Sequence, residues 1–522
     1  MKRRDFIKNL ALAAAFAPVY VNGLPVRALS ASAFPLGELD DNGRVLVLIQ
    51  LNGGNDGLNT VIPLDQYARL STARSNILIP ENRVLKLTDE TGLHPSMAGV
   101  WQLYKDEKVA VIQSAGYPEP NFSHFRSTDI WTSASDSKEV SSTGWLGRYL
   151  NLDHPAYPDG YPGPDHPHPL AITIGSLVSN TCQGPASNFS IAISDLSGFD
   201  PLQGTDPASP PVSLYGKELS FIRQSMDQAN RYAGTIQNAA AAAANLSPAY
   251  PDPGANTLAD QLKIVARLIA GGLQSRIYVA QLGGFDTHAG QAENGDPLSG
   301  KHAELLSQVS EAIWAFQDDL GRMGIEERVV GLTFSEFGRR IKSNGSRGTD
   351  HGAAAPMFVF GSEVCPGLLG NNPEIPDKVT VRDSVPMQFD FRSVFGSLLT
   401  DWFGLDQQKV RTVLSPSIQY LPFLNREFCG AIGPDRPLLL LQNYPNPFSQ
   451  FTTLRFLSLG GPLDLSIYDA RGSRILTVIQ GDYPAGDHRI EIQTEGWSPG
   501  NYYARIQQGD LQQMIRMACT GR

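Results

Sequence analysis

The apolar residues fall into two textures along the chain. From residue 44 onward, unbroken runs of Val, Ile and Leu alternate with stretches whose apolar positions recur at helical spacing, whereas from about Arg436 the runs become short and alternate with polar residues. An unbroken short run reads as a strand buried on both faces, and helical spacing reads as an amphipathic helix. Buried strands are predicted over residues 44–51, 109–113, 277–282 and 328–333, with helices over 94–104, 214–245, 258–273 and 302–323. The succession 277–282, 302–323, 328–333 is strand, helix, strand, the signature of a parallel crossover in an α/β domain. After the change of texture, strands are predicted over 452–457, 463–468, 474–479, 488–492 and 502–507, a spacing that suggests a small, separate β-sandwich.

Each main strand stops abruptly in polar residues. Residue 51 leads into Asn52-Gly53-Gly54-Asn55-Asp56, residue 282 into Gly283-Gly284-Phe285-Asp286-Thr287-His288, and residue 333 into Phe334-Ser335-Glu336. Parallel strands deliver their carboxyl ends to one edge of the sheet, where α/β proteins carry their chemistry. Asp56, Asp286, His288 and Glu336 are thus candidates to converge there, together with His351 from Gly348-Thr349-Asp350-His351-Gly352. Carboxylate oxygens and imidazole nitrogens suit zinc, manganese or iron, and the glycines let backbone approach closely.

Structural alternatives stand beside these. Asp56 suits an Asx turn, Asp286 and His288 a local hydrogen bond, and Glu336 an ion pair with Arg339 or Arg340. His94 and His302 read as helix-start and helix-surface residues. His154, His166 and His168 lie in a proline-rich loop that holds metal ligands poorly. Ser123 and Arg126, within Asn121-Phe122-Ser123-His124-Phe125-Arg126-Ser127, offer a hydroxyl nucleophile and an anion clamp. No Gly-x-Ser-x-Gly elbow and no Walker motif accompanies them.

At 522 residues the chain exceeds one core, so a domain of roughly 400 residues plus an accessory one is expected. A net charge of -10 supplies no basic footprint and argues against nucleic acid as a partner. Lys2, Arg3 and Arg4, the apolar stretch 10–21 and Ala31-Ser32-Ala33 form an export address over residues 1–33, and Arg3-Arg4-Asp5-Phe6-Ile7-Lys8 resembles a twin-arginine signal. No segment of the mature chain reads as transmembrane. The four cysteines show no zinc spacing, and three disulfide connectivities stay open.

The motifs at 51–59, 116–127, 284–288, 335–340 and 348–352, in that order, resemble the family filed as domain of unknown function 1501. That family is similar to the alkaline phosphatase and sulfatase superfamily, which implies a three-layer α/β/α core over residues 34–430 and metal-dependent hydrolysis of phosphate or sulfate esters. Carried over, the superfamily pattern implies a divalent metal, zinc, manganese or similar, on Asp286, His288 and His351, with Asp56 and Glu336 as contributors and Ser123 as nucleophile. Departures are Asn52-Gly53 where the pattern has Asp-Gly, and Glu336-Phe337 where it has Asp-His. The stretch 441–448, with 465–472, 484–488 and 498–503, is similar to a type IX secretion sorting domain, here over 438–522. The resemblances imply twin-arginine and type IX export machinery as partners, a route through the periplasm to the cell surface or medium, and a small anionic ester as substrate. The alternative is a non-catalytic surface-binding protein on a degenerate scaffold, and Phe337 favours it.

Overall fold

The computed structural model describes residues 19–21, 24–26, 43–196, 230–414, 421–424, 439–440, 443, 445–509 and 511–521. Apart from a short antiparallel strand pair, Val19–Val21 with Leu24–Val26, the expected export address lies outside the described residues. So does most of the helix expected over 214–245, of which 230–242 is helical.

From Gly43 onward, the central feature is a nine-stranded mixed sheet. Its strands are β1 (Val45–Leu51), β2 (Val109–Gly116), β3 (Ala171–Ile174), β4 (Ser190–Ile193), β5 (Ile277–Leu282), β6 (Val329–Phe334), β7 (Ala355–Phe360), β8 (Gly367–Leu369) and β9 (Phe389–Asp390). The order is β8-β2-β7-β6-β1-β5-β3-β4, and β9 adds to β2. Only β7 runs antiparallel to its neighbours, β2 and β6. β5 and β6 flank β1 on opposite sides, both parallel to it, so the predicted crossover passes over the central strand.

β1 shows why the sheet has two covered faces. Val45, Val47, Ile49 and Leu51 enter one hydrophobic cluster, and Leu46 and Leu48 enter another. The period-2 alternation of a strand sends its side chains both ways, and helices must cover each side. On the first face lie α1 (Ala98–Lys105), α4 (Thr257–Ala270) and α5 (Lys301–Arg322). On the second lie α2 (His124–Ser133), α3 (Trp145–Asp153), α6 (Phe391–Ser397) and α7 (Gln407–Val413). Trp131 stacks on Phe391 at 4.1 Å and Trp145 on Phe395 at 4.3 Å between ring centres, which locks that layer. The α/β/α expectation is met. His302 departs from it: the residue is buried, not on the helix surface, and its Nε2 lies 2.9 Å from Asn55 Oδ1. His94 does start a helix, accepting the Ser96 amide at 3.1 Å.

The C-terminal residues form a five-stranded antiparallel sheet with its own hydrophobic cluster. Four of the predicted short strands are continuous in pairs, giving two long strands, Phe451–Asp469 and Arg474–Gln493. The cause is that chain texture breaks at Gly461 without ending the backbone pairing, which continues to Pro462 and Leu463. Leu454 and Phe456 from one half and Leu463, Leu465 and Ile467 from the other share the cluster.

Asp56 was expected at the functional edge, but its carboxylate is buried in a two-pronged pair with Arg74 at 3.0 and 2.9 Å. Arg74 also donates to the Ile341 and Arg340 carbonyls, tying the 52–60 turn to the strand Gly338–Ser343. Burial pulls the Asp56 pKa up, but the charges of Arg74 and His302 and hydrogen bonds from Gln291 and Arg74 outweigh it and hold it below the ordinary value. Removing one partner of a buried pair strands the other's charge. Arg74→Met is therefore expected to lose about 3–5 kcal/mol of stability in urea unfolding. Because the folded pKa is depressed, the contribution of Asp56 is present above about pH 3.9 and fades as pH falls through the folded value.

Candidate metal centre

All the parallel strands end at one edge, and the antiparallel β7 begins there, so the segment that precedes β7 is brought to the same place as the segments that follow β1, β2, β5 and β6. This is how His351, on the short strand Thr349–Gly352, meets residues that follow parallel strands. Gly53 makes the crowding possible: it has φ +122°, and a Cβ there would stand 2.3 Å from the Asp286 amide nitrogen. A Cβ on Gly348 would likewise stand 2.3 Å from the His288 carbonyl.

Arg339 holds these segments together from beneath. Its buried guanidinium donates to the carbonyls of Gly54 at 2.7 Å, Thr349 at 2.7 Å and Phe285 at 2.9 Å, and to the Gly53 carbonyl. Nη2, which serves Gly53 and Phe285, also lies 2.7 Å from Asp286 Oδ1, so its two N–H groups are shared among three acceptors. Glu336 was weighed as the partner of Arg339 or Arg340, but neither pairs with it. Its Oε1 accepts the Gly53 amide at 2.8 Å and faces His124 Nδ1 at 2.9 Å.

Three imidazoles surround Asp286, and each has its Nδ1 against an oxygen that can only accept. His124 Nδ1 faces Glu336, His288 Nδ1 lies 3.0 Å from Asp350 Oδ1, and His351 Nδ1 lies 2.7 Å from the Phe122 carbonyl oxygen. An Nδ1–H given to such an acceptor leaves Nε2, when the ring is neutral, as the nitrogen that presents a lone pair. Burial pushes the His351 pKa down, against the raising effect of its bonds to Phe122 and Asp286.

The Nε2 atoms converge on Asp286. His288 Nε2 and His351 Nε2 are 2.9 Å apart, and Asp286 Oδ1 lies 3.1 and 3.2 Å from them. His124 Nε2 stands 3.5 Å from the other Asp286 oxygen. Atoms about 2.05 Å from a tetrahedral cation lie about 3.3 Å from one another. His124, Asp286 and His351 each offer a ligand atom, all within 4.8 Å of one another. Burial raises the Asp286 pKa, but the Arg339 bond, then the His351 bond and the nearby charges, bring it down to about 2, so the carboxylate stays ionised. Facing acceptors repel unless something positive lies among them, and nitrogen and carboxylate oxygen together suit zinc, manganese or iron.

The structure thus brings Asp286, His288, His351 and Glu336 to one place, with Glu336 one step back behind His124, and leaves Asp56 apart. Asp56 reaches the site only through Gln291, whose Nε2 donates to it at 2.6 Å while its Oε1 accepts from Thr287 at 3.1 Å and Thr349 at 2.8 Å. His124 was not among the expected ligands. The signal for it was its place in the polar segment that follows β2, as Asp286 lies in the one that follows β5. Arg126, expected to clamp an anion, is instead occupied by Asp129 and by the carbonyls of Asp136, Ser137 and Glu139. Ser123 is exposed at the start of α2, and its side chain makes no capping bond. His154 is bonded to Tyr161 at 2.8 Å, away from any such cluster.

Fold and site together define an α/β/α protein with a histidine-carboxylate cluster at the carboxyl edge of its sheet. Residues 208–414 match the family described as "Protein of unknown function (DUF1501)", and residues 442–518 match "Secretion system C-terminal sorting domain". The motifs holding Asp286, His288, Glu336 and His351 lie inside the first span, and those at 51–59 and 116–127 lie before it. Similar solved structures include a protein of the alkaline phosphatase superfamily from Vibrio parahaemolyticus, at 12% identity and TM-score 0.33, covering 91% of this chain and 82% of that one. Another is a phosphonate monoester hydrolase from Silicibacter pomeroyi, at 10% identity and TM-score 0.33, covering 91% and 89%. Likeness this distant fixes no reaction. No curated protein matches the chain. Among the described residues no helix is long and apolar enough to cross a membrane.

Titration with zinc or manganese is expected to show one ion bound per chain. Asp350→Ala, which removes the acceptor that orients His288, is expected to weaken that affinity about 10–100-fold.

Proposed function

We propose that the chain is an exported metal-dependent hydrolase of phosphate or sulfate esters. The observation that carries this reading is the gathering of ligand atoms from His124, Asp286 and His351 within 4.8 Å of one another, with His288 Nε2 beside His351 and Asp286 and each Nδ1 against an acceptor. His124, His288, His351 and Asp286 would hold the ion, which when bound supplies Lewis acidity toward an ester oxygen and lowers the pKa of a bound water.

The rest is done by the chain. α2 begins at His124, which lines the cleft, and the positive end of a helix dipole at that residue favours an anionic ester group. Glu336 and Asp350 hold the His124 and His288 rings in the tautomer that presents Nε2. Arg339 keeps Asp286 ionised from below. Ser123 has no base against its hydroxyl among the contacts described, so this reading assigns the attack to water and not to Ser123. The sorting domain supports passage to the cell surface or medium, and the disulfide at Cys365 suits an oxidising compartment. We assign the 1–33 segment to the first export step, by the twin-arginine route through the periplasm.

One feature favours the rival reading of a metal-binding but non-catalytic surface protein. The Phe337 ring lies 4.4 Å from the His351 ring and 4.9 Å from the His124 ring, filling space beside the cluster where the superfamily pattern has a second metal ligand.

Metal-loaded protein assayed on 4-nitrophenyl phosphate and 4-nitrophenyl sulfate separates the two. Turnover of one ester, abolished by a chelator and restored by the metal, is expected. His351→Ala is expected to lower kcat/KM by more than the roughly 10–100-fold typical of losing an outer-layer partner. A protein that binds the ion and turns over neither ester is the non-catalytic one.

A further inference from the structure

A second cavity, about 420 Å³, lies at the amino edge of the sheet, opposite the edge that carries the metal cluster. Two of its lining residues show this: Lys108 stands directly before β2, and Glu326 shortly before β6. One wall is a stripe of α5. Trp314, Gln317, Asp318 and Gly321 recur at the three- and four-residue spacing that places side chains on one helix face, and Leu103 of α1 adds to the lining. Gln317 is the anomaly in that stripe. The residue is 2% exposed, and among the described residues neither its Oε1 nor its Nε2 has a hydrogen-bond partner. A buried amide without its bonds carries the whole cost of its desolvation, so native proteins seldom keep one. Each charged side chain of the lining is, by contrast, matched. Lys108 meets Glu326 at 2.6 Å, Arg322 meets Asp318 at 2.7 Å, and Asp106 accepts from Gln102 at 2.9 Å.

We infer that this cavity is a second binding site, taking a small uncharged planar ring whose edge carries a donor beside an acceptor, as in a cyclic amide or imide. A glutamine side chain presents the complement of that edge, an oxygen beside an NH2, and pairs with it through two hydrogen bonds. The terminal torsion of glutamine is broad, so the covered amide turns toward an entering edge at little cost. Trp314, half-buried one turn before Gln317, supplies a flat surface for the ring, and Leu103 an apolar one. A charged ligand would have to break one of the ion pairs, whereas a neutral one leaves them intact. The volume suits a small molecule, whose sites span roughly 300 to 1,000 Å³. Because the cavity shares no residue with the metal cluster, this inference stands apart from the hydrolase reading.

Titration calorimetry on the full-length chain compares uracil, whose N3–H lies between carbonyls, with 1,3-dimethyluracil, which keeps the ring and the carbonyls but has no N–H. Uracil is expected to bind once per chain and about tenfold tighter than the dimethyl ring, the scale of one hydrogen bond. Gln317→Met is expected to bring that ratio to one with no fall in melting temperature, because it removes an unmatched amide and keeps an unbranched side chain of similar length. Trp314→Leu is expected to weaken both rings alike and preserve the ratio. Chelator-treated and metal-loaded protein are expected to bind uracil equally. No uracil binding, equal affinity for the two rings, a preference that survives Gln317→Met, or binding that requires the metal each overturns the inference. So does a Gln317→Met chain that loses stability, since the amide would then be bonded within the free protein. Failure of the ester assays leaves these outcomes untouched, and the converse holds as well.

Discussion

The guanidinium of Arg339 is the interaction on which the rest of the site depends. A sheet edge at which five segments end exposes many carbonyls that have left the ladder and have no strand partner, and buried carbonyls demand donors. Arginine supplies five N–H groups in one rigid plane. Here Nε serves Gly54, Nη1 serves Thr349, and the two N–H groups of Nη2 are shared among Gly53, Phe285 and Asp286, so that three separate segments are joined. Lysine could not span them, having three donors on a single nitrogen. The same residue therefore satisfies the backbone of the edge, fixes the spacing of the loops that carry Asp286 and His351, and sets the charge state of Asp286.

A second layer repeats this logic one step deeper. Arg74 binds Asp56 and two carbonyls of the strand Gly338–Ser343, and Gln291 links Asp56 to Thr287 and Thr349, the residues adjoining Asp286 and Asp350. The acidic and basic groups that look like candidate chemistry in the sequence thus divide into two populations. Buried ones neutralise each other and brace the loops. The partly exposed ones, Asp286 and its three histidines, are held with their Nε2 atoms turned toward the carboxylate, an arrangement that a cation or a shared proton stabilises. Phe337 belongs to the braces as well, since it packs against two of the rings and limits the cluster to one ion's worth of ligands.

Much of this was legible in the sequence. Each strand of the main sheet that was expected occurs within a few residues of its predicted bounds, because a run such as Val45 to Leu51 has no polar face and can only be buried on both sides. The helix Thr257–Ala270 was equally plain from its apolar spacing. Less legible were strands joined through a break in texture, as at Gly461, and the antiparallel insertion of β7, since hydrophobic runs carry no direction.

Sequence alone determined the layered α/β core, the β-rich tail and the short list of polar residues at strand ends, because periodicity and strand polarity are local properties of the chain. Tertiary structure decided which of those residues share a point in space. It placed His124 in the cluster, withdrew Asp56 and Arg126 into ion pairs and carbonyl contacts, and gave Asp286 to Arg339. These outcomes turn on distances between segments up to some 230 residues apart, such as His351 to Phe122, and no local pattern encodes them.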